Sequence, residues 1–179
     1  MTQSPEPVAH PGCASDDELL AHCAVERIRR SGPGGQHRNK VETGIRLRHR
    51  PTDLTAQATE RRSQAENLKS AIDRLRWELV LSIRQTGETD SSGAAPAASP
   101  LWKSRCPGGM IKVNPQHRDY PLLVAEALDV LARYGWDMKP AAEQLGCTAS
   151  QLTRFLRDHP RVFAHVNAQR KSAQRRILH

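Results

Sequence analysis

The stretch GIRLRHRPTDLTAQATE, residues 44–60, decides the fold of the first half of this chain. Its first seven residues alternate between two faces of an extended strand. One face holds Ile45, Leu47 and His49, and the other holds Arg46, Arg48 and Arg50. Residues 51–53 have the composition of a turn, and Leu54, Ala56 and Ala58 then alternate with polar residues. The pattern predicts a hairpin of two half-buried strands with a cationic outer face.

Residues on both sides of this hairpin complete a small layered domain. Val25 to Arg30 is short, partly β-branched and followed by a Gly/Pro turn, which predicts a third strand. Ahead of it, Asp16 is predicted to cap a short helix, and after the hairpin Ser63 and Glu66 form a capping-box pattern. Apolar residues then recur at helical spacing: Leu68, Ile72, Leu75, Leu79 and Ile83. The expected fold is α+β, a three-stranded sheet covered by one long helix that ends near Gln85.

The second half of the chain has a different pattern. After a stretch rich in Gly, Ser, Ala and Pro, an apolar helical stripe ends near Gly135. A short apolar segment then leads to Gly146, which is followed by a second capping box that begins at Thr148. Two short helices joined by a turn with Gly are typical of a helix-turn-helix, and a three-helix bundle explains the same residues equally well.

These patterns predict five segments. They are a disordered tail at 1–15, an α+β domain at 16–85, a flexible linker at 86–108, a helical domain resembling a helix-turn-helix at 109–160, and a basic C-terminal tail at 161–179.

The charge of the chain favours an anionic partner. Lys and Arg number 27 against 19 Asp and Glu, and eight basic residues lie between Glu26 and Arg50 with only two acidic ones. The N-terminal residues lack the pattern of a secretion signal, and no 18-residue apolar run occurs, so the protein is expected in the cytoplasm and not in a membrane. The four scattered cysteines form no Cys-x-x-Cys pair, so neither a metal site nor a cofactor is expected.

The residues that carry chemistry lie between the first two predicted strands. The run Arg30-Ser31-Gly32-Pro33-Gly34-Gly35-Gln36-His37 is followed by Asn39-Lys40, then by Arg46-Leu47-Arg48-His49 with Pro51-Thr52, and then by Arg62-Ser63-Gln64 with Asn67. With this context, residues 22–84 resemble the catalytic domain of class I peptide chain release factors and of the codon-independent ribosome rescue hydrolases related to them. The sequence departs from that family at Arg38, where Val is usual, and at Asp53, where Gly is common.

This resemblance implies a peptidyl-tRNA hydrolase whose catalytic residues are Gly34, Gly35 and Gln36. The glycines permit positive φ and close approach to RNA, and the backbone N–H of Gln36 would stabilise the oxyanion of the transition state. The Gln36 side chain would exclude bulkier nucleophiles and help to orient water. RNA contacts are expected from Arg30, Ser31, His37, Arg38, Asn39, Lys40, Arg46, Arg48 and Arg50. His49 shares the apolar strand face and is expected to be a hydrogen-bonded core residue.

The resemblance also implies partners: large-subunit rRNA, peptidyl-tRNA and a methyltransferase that modifies Gln36, with the protein acting as a monomer. The residues ahead of Cys23 are too few for the domain with which full release factors read stop codons, so codon-independent rescue of stalled ribosomes is expected. Anchoring contacts are expected from six basic residues of the second half: Arg154, Arg157, Arg170, Lys171, Arg175 and Arg176.

A rival function remains open at this point. The chain could be a non-enzymatic RNA- or DNA-binding protein, in which the second helix of the helix-turn-helix pattern reads a nucleic-acid groove. The residues that would do so are Ser150, Gln151, Arg154 and Arg157. A substitution at Gln36 separates the two functions, because only the hydrolase depends on that side chain.

Overall fold

The computed structural model describes residues 10–29, 42–85 and 97–179 of the chain. Contacts divide the chain into two compact units, Met1–Ser82 and Ile83–His179. The first unit combines a sheet with helices, and the regular elements of the second unit are all helices in the described residues. The predicted α+β class is confirmed.

The first unit is built on an antiparallel three-stranded sheet with the strand order β1-β2-β3. The strands are β1 (Cys23–Ile28), β2 (Gly44–His49) and β3 (Thr55–Ala58). The predicted alternation is confirmed on β2, where Ile45, Leu47 and His49 are buried while Arg46 and Arg48 are exposed. Strand β1 begins two residues before its predicted start and ends two residues before its predicted end.

A long helix, α2 (Gln64–Ser82), covers the apolar face of this sheet, as the helical spacing predicts. Its buried face contributes Ala71, Leu75 and Leu79, which are inaccessible to solvent. Each fully buried leucine contributes about 1.5 to 3 kcal/mol relative to an exposed one, so this face is the main stabilising contact of the unit. The backbone N–H of Glu66 donates to Ser63 Oγ at 3.4 Å, which is the predicted cap.

The predicted disordered tail at 1–15 is wrong for its last six residues. Pro11–Cys13 form a short 3-10 helix that packs on α2. Arg76 of α2 donates to the carbonyl oxygens of Gly12 at 2.8 Å and Ala14 at 2.6 Å. The partners are more than 60 residues apart in sequence, and local composition therefore carried no sign of this contact.

The first helix, α1 (Asp16–Ala21), is also capped by a different residue from the predicted one. Ser15 occupies the N-cap, and it exchanges hydrogen bonds with Glu18 in a capping box. Asp16 lies in the first turn of the helix, and its carboxylate accepts from Arg76 at 2.6 Å.

The second unit consists of five α-helices in the described residues. They are α3 (Pro100–Arg105), α4 (Tyr120–Arg133), α5 (Met138–Gln144), α6 (Ala149–Arg157) and α7 (Pro160–Ser172). Their core includes Leu123, Leu128, Leu131, Leu152 and Leu156, all fully buried. The turn between α5 and α6 contains Gly146 at φ 69°, and Thr148 then caps α6 through the N–H of Gln151.

Part of the predicted flexible linker belongs to this folded unit, which corrects the interpretation of 86–108. Residues 86–96 lie outside the described residues, but α3 and the 3-10 helix Pro107–Gly109 occupy most of the rest. Trp102 of α3 is 1% exposed, and its indole N–H donates to the carbonyl oxygen of Leu145 at 2.7 Å. Burial of so large a side chain fixes α3 to the helical core.

The segment predicted as a basic C-terminal tail, 161–179, is likewise part of the folded unit. Most of it forms α7, whose Val162 and Val166 are buried one turn apart. The Asn167 side chain accepts from the Leu178 N–H at 2.7 Å and donates to the Leu178 carbonyl oxygen at 3.2 Å. The last residues of the chain therefore return along α7.

Residues 83–85 also belong to the second unit, although the helical spacing placed them in the first domain. The carboxylate of Asp129 in α4 accepts from the Gln85 N–H at 3.0 Å and from Arg84 at 3.4 Å. Both charged side chains are less than a fifth exposed. Across 10–29, 42–85 and 97–179, no helix combines the length and apolar content needed to cross a bilayer.

Candidate functional site

The ends of two neighbouring strands hold the base of the loop that carries the Gly-Gly-Gln sequence. Ile28, the last residue of β1, lies directly opposite Gly44, the first residue of β2. Just beyond this pair, Arg29 Nε donates to Glu42 Oε1 at 2.9 Å. Sheet hydrogen bonds and an ion pair therefore bring the two ends of the intervening segment together.

Gly44 is required at this base by close packing rather than by its φ angle. A Cβ atom at this position would lie 2.8 Å from the Ile28 carbonyl oxygen and 2.8 Å from Thr59 Cγ2. Neither separation is possible for a real Cβ, so β1, β2 and the residue after β3 meet here without space for a side chain.

A buried asparagine ties the same base to the start of α2. Asn67 is fully buried, and its Nδ2 donates to the carbonyl oxygens of Thr43 at 2.7 Å and Arg61 at 3.0 Å. Its Oδ1 accepts from the Arg61 N–H at 3.0 Å. Three hydrogen bonds thus satisfy the buried amide and fix the backbone that leads into β2.

The predicted catalytic residues Gly34, Gly35 and Gln36 lie outside the described residues. The same holds for six of the predicted RNA contacts: Arg30, Ser31, His37, Arg38, Asn39 and Lys40. Their roles stay predictions, and what the structure provides is the geometry of the base on which they are carried.

The three remaining predicted RNA contacts lie together on or next to β2. Arg46 and Arg48 point away from the core on alternate positions of the strand, and Arg50 follows it with an exposed side chain. Arg46 Nη1 lies 3.6 Å from a Glu26 carboxylate oxygen, and Arg48 forms an ion pair with Asp53. Two of the three guanidinium groups therefore already have carboxylate partners, all of them exposed.

The turn after β2 accounts for one of the departures from the family pattern. Asp53 adopts φ 60°, a left-handed conformation that glycine takes without steric cost and that Asp and Asn tolerate better than other residues. The hydrogen bond from Arg48 to its carboxylate accompanies this conformation. The change from Gly to Asp is thus compatible with the turn and adds a partner for the arginine.

His49 is a core residue, as its place on the apolar strand face predicts. Only 3% of it is exposed, and its Nδ1 lies 2.8 Å from Thr52 Oγ1. Burial lowers the pKa of His49, and the neighbouring His22 lowers it further, so the ring is neutral near pH 7. A neutral imidazole that is already hydrogen-bonded inside the turn holds the hairpin together.

The predicted anchoring residues of the second unit divide into two groups. Arg154 and Arg157 of α6 are exposed, as are Lys171 and Arg176 near the end of the chain. Arg170 and Arg175 instead bind the backbone of their own unit. Arg170 donates to the Trp136 carbonyl oxygen at 2.5 Å, and Arg175 donates to the Gly135 carbonyl oxygen at 2.6 Å.

Sequence reasoning missed the ion pair at the loop base and the full role of Asn67. The opposite charges of Arg29 and Glu42 flank the loop, and this was the available signal for the ion pair. Asn67 belongs to the family pattern, but its partners lie 6 and 24 residues away and depend on the tertiary fold, so the sequence does not indicate its hydrogen bonds.

Comparison with known proteins finds one family that part of this chain matches. The RF-1 domain model matches residues 20–101. Peptide chain release factor 1 of Xylella fastidiosa is 39% identical over 69 residues, which are 38% of this chain and 19% of that protein. Peptide chain release factor 1 of Dictyoglomus thermophilum is 42% identical over 66 residues, which are 37% of this chain and 18% of that protein.

A plant relative gives the same result. The chloroplastic peptide chain release factor PrfB1 of Arabidopsis thaliana is 40% identical over 66 residues, which are 37% of this chain and 14% of that protein. The chain thus spans a fifth or less of the length of the curated relatives it matches. Residues 20–101 of this chain thus match the RF-1 domain, the Gly-Gly-Gln domain of class I peptide chain release factors.

Proposed function

We propose that this protein is a ribosome-dependent peptidyl-tRNA hydrolase that uses Gly34, Gly35 and Gln36 to promote attack of water on the ester of peptidyl-tRNA. The observation that carries the proposal is the base of the loop inside a matched RF-1 domain. The β1–β2 register, the Arg29–Glu42 ion pair and the Asn67 hydrogen bonds hold both ends of the segment that bears the tripeptide. Fixing both ends of this segment to the sheet suits its presentation to a narrow RNA cavity.

The chemistry needs little from charged side chains. Ester hydrolysis develops negative charge on the carbonyl oxygen, and a correctly placed backbone N–H stabilises that charge by about 3 to 4 kcal/mol in serine proteases. In this proposal the Gln36 N–H supplies that hydrogen bond and its side chain selects water over bulkier nucleophiles. RNA and the ribose of the tRNA supply the remaining proton transfers, and neither a metal nor a cofactor takes part.

We further infer that hydrolysis is independent of a codon and acts on stalled ribosomes in the cytoplasm. Residues 97–179 of the second unit contain only helices as regular secondary structure, and they hold thirteen basic residues against six acidic ones. Such a unit is suited to ribosomal RNA through phosphate contacts, which carry no codon information. A monomer that joins this unit to the RF-1 domain would be recruited by RNA surface alone.

The test is hydrolysis of peptidyl-tRNA on purified ribosomes stalled on truncated mRNA, compared with ribosomes that hold a stop codon. The wild type should release peptide from both at similar rates, whereas Gln36→Ala and Gly35→Ala should lose release but keep ribosome binding. Full release by both variants would refute the catalytic assignment. Release that requires the stop codon would refute codon independence alone. Mass spectrometry of Gln36 from the native host tests the proposed methylation.

One observation favours a second candidate, a non-enzymatic nucleic-acid binder. Helices α5 and α6 are short and joined by a turn at Gly146, and Arg154 and Arg157 are exposed on the second of them. In that case Gln36→Ala would leave the cellular function intact, and the second unit would bind duplex DNA with sequence preference.

A further inference from the structure

A groove runs along the exposed side of α6 in the second unit, with a volume of about 460 Å³. Helix α6 supplies one wall, and the other wall comes from α7 and the end of the chain. The lining residues are Met138, Ala149, Ser150, Thr153, Arg154, Arg157, Arg170 and Leu178. Three guanidinium-bearing side chains and two hydroxyls thus line the groove, and none of the lining residues is acidic.

The wall opposite α6 is fixed by hydrogen bonds. Arg170 donates from Nη1 to the Trp136 carbonyl oxygen at 2.5 Å and from Nε to the Arg176 carbonyl oxygen at 2.9 Å. The two hydrogen bonds between Asn167 and the Leu178 backbone hold the last residues against α7. Arg175 extends the same attachment to Asp137 at 2.7 Å. The groove is therefore a built feature of the folded chain.

The α6 wall presents its charges to solvent. Arg154 and Arg157 are exposed, and their spacing of three residues places them on one face about one helical turn apart. The Arg157 guanidinium lies 5.5 Å from the centre of the Phe163 ring, which restrains its position. Arg154, Arg157 restrained by Phe163, and Arg170 fixed by its hydrogen bonds together match an anion that repeats along a chain.

We propose that this groove binds the sugar-phosphate backbone of single-stranded RNA. The choice of RNA rests on the proposed function, because RNA is the anionic polymer that a ribosome offers. The second wall argues against duplex DNA. A helix with its side chains is already about 10 to 12 Å wide, and the major groove of B-DNA is about 12 Å wide. Helix α6 with Arg170 and Leu178 alongside is too wide to enter. No aromatic residue lines the groove, so binding is set by phosphates rather than by base stacking.

The test measures binding of the full-length protein to a fluorescein-labelled uridine 20-mer at a series of salt concentrations. The groove variant is Arg154→Gln with Arg157→Gln. The matched control is Lys103→Gln with Lys112→Gln, which removes the same charge from two exposed residues outside the groove. Loss of two phosphate contacts flattens the slope of log Kd against log salt by about 1.4, which corresponds to about 25-fold weaker binding near 0.1 M salt. The control should change the slope by less than half as much.

Several results would overturn the proposal. The first is a groove variant whose log Kd depends on salt as steeply as that of the wild type. The second is a groove variant that binds RNA as tightly as the control. The third is a wild type that binds a 20-base-pair DNA duplex more tightly than the RNA through Arg154 and Arg157. All four substituted residues are exposed, and circular dichroism should confirm that both variants fold. The hydrolysis assay keeps the two proposals apart. The groove variant should need a higher protein concentration for half-maximal peptide release but reach the same release rate at saturation. If the wild type showed the salt dependence of RNA binding but no hydrolysis, only the proposed function would be refuted.

Discussion

Replacement of Asn67 tests whether the base of the loop, and not only its tripeptide, contributes to the proposed hydrolysis. The side chain is fully buried and makes three hydrogen bonds at 2.7 to 3.0 Å. Each buried hydrogen bond contributes about 1 kcal/mol net, so Asn67→Ala should lower the free energy of unfolding of the first unit by roughly 3 kcal/mol. Its partner Thr43 lies next to β2, so the variant should also slow peptide release at saturating protein.

Asn67→Asp is a sharper version of the same perturbation, because it keeps the shape and changes only the hydrogen-bonding capacity. A carboxylate can still accept from the Arg61 N–H, but it faces the carbonyl oxygens of Thr43 and Arg61 with no proton to donate. Burial beside two acceptors favours the protonated acid, which raises the pKa of the new side chain in the folded state. The folded protein then binds the proton more tightly than the unfolded one, so stability should fall as the pH rises through that range.

The assay is hydrogen exchange of the backbone amides of β2 and α2, which reports on the first unit without a two-state assumption for the whole chain. Ser63→Ala is the control, since it removes the nearby helix cap without touching the loop base and should cost about 1 kcal/mol with no effect on the release rate. If Asn67→Ala cost no more than Ser63→Ala and released peptide at the full rate, the role assigned to the loop base would be wrong.

Two further predictions concern a buried acid and two glycines. Burial raises the pKa of Asp129 to about 6 despite the nearby Arg84. The folded state therefore binds this proton more tightly than the unfolded state. As the pH rises from 4 to 6, the free energy of unfolding of the second unit should fall by up to about 3 kcal/mol. Asp129→Asn should remove most of that pH dependence, and a titration unchanged in the variant would contradict the assignment. Gly146→Ala should cost only about 1 to 2 kcal/mol, because the turn leaves space for Cβ and only its φ is unfavourable. Gly44→Ala should destabilise the first unit and abolish peptide release, because the new Cβ would collide with the β1 backbone. Equal peptide release by the Gly44 and Gly146 variants would show that this collision does not matter for release.

The elements of the first unit that could be predicted are those whose pattern is local. The alternation at Ile45, Leu47 and His49 has the period of a strand, and the apolar spacing over 64–82 has the period of a helix. Each pattern identifies its own buried face, so the sheet and its covering helix follow without knowledge of distant residues. The Arg76 contacts and the Asn67 hydrogen bonds depend instead on partners brought close by the tertiary fold, and no window of sequence contains both sides of those contacts.

The second unit was harder to predict because composition and charge conceal its buried contacts. Trp102 stands alone in a segment poor in apolar residues, and its burial depends on Leu145, 43 residues away. In the C-terminal segment, the helical spacing of Val162 and Val166 was visible, but the excess of basic residues favoured the interpretation as a basic tail. Net charge describes which partners a surface attracts and does not exclude that one face of the same segment is buried.

The arginines of β2 show how a residue can be predicted while its surroundings are not. Strand period alone places Arg46 and Arg48 on the outer face, but only the register brings Glu26 beside the first and only the turn brings Asp53 beside the second. Exposed ion pairs of this kind contribute about 0 to 1 kcal/mol. Exchange of a carboxylate for an RNA phosphate therefore costs little, and the release of counterions from RNA can offset that cost. The same pairs reduce the positive charge of the surface, so the RNA contacts proposed for these arginines do not require the unbound sheet to be destabilised by their mutual repulsion.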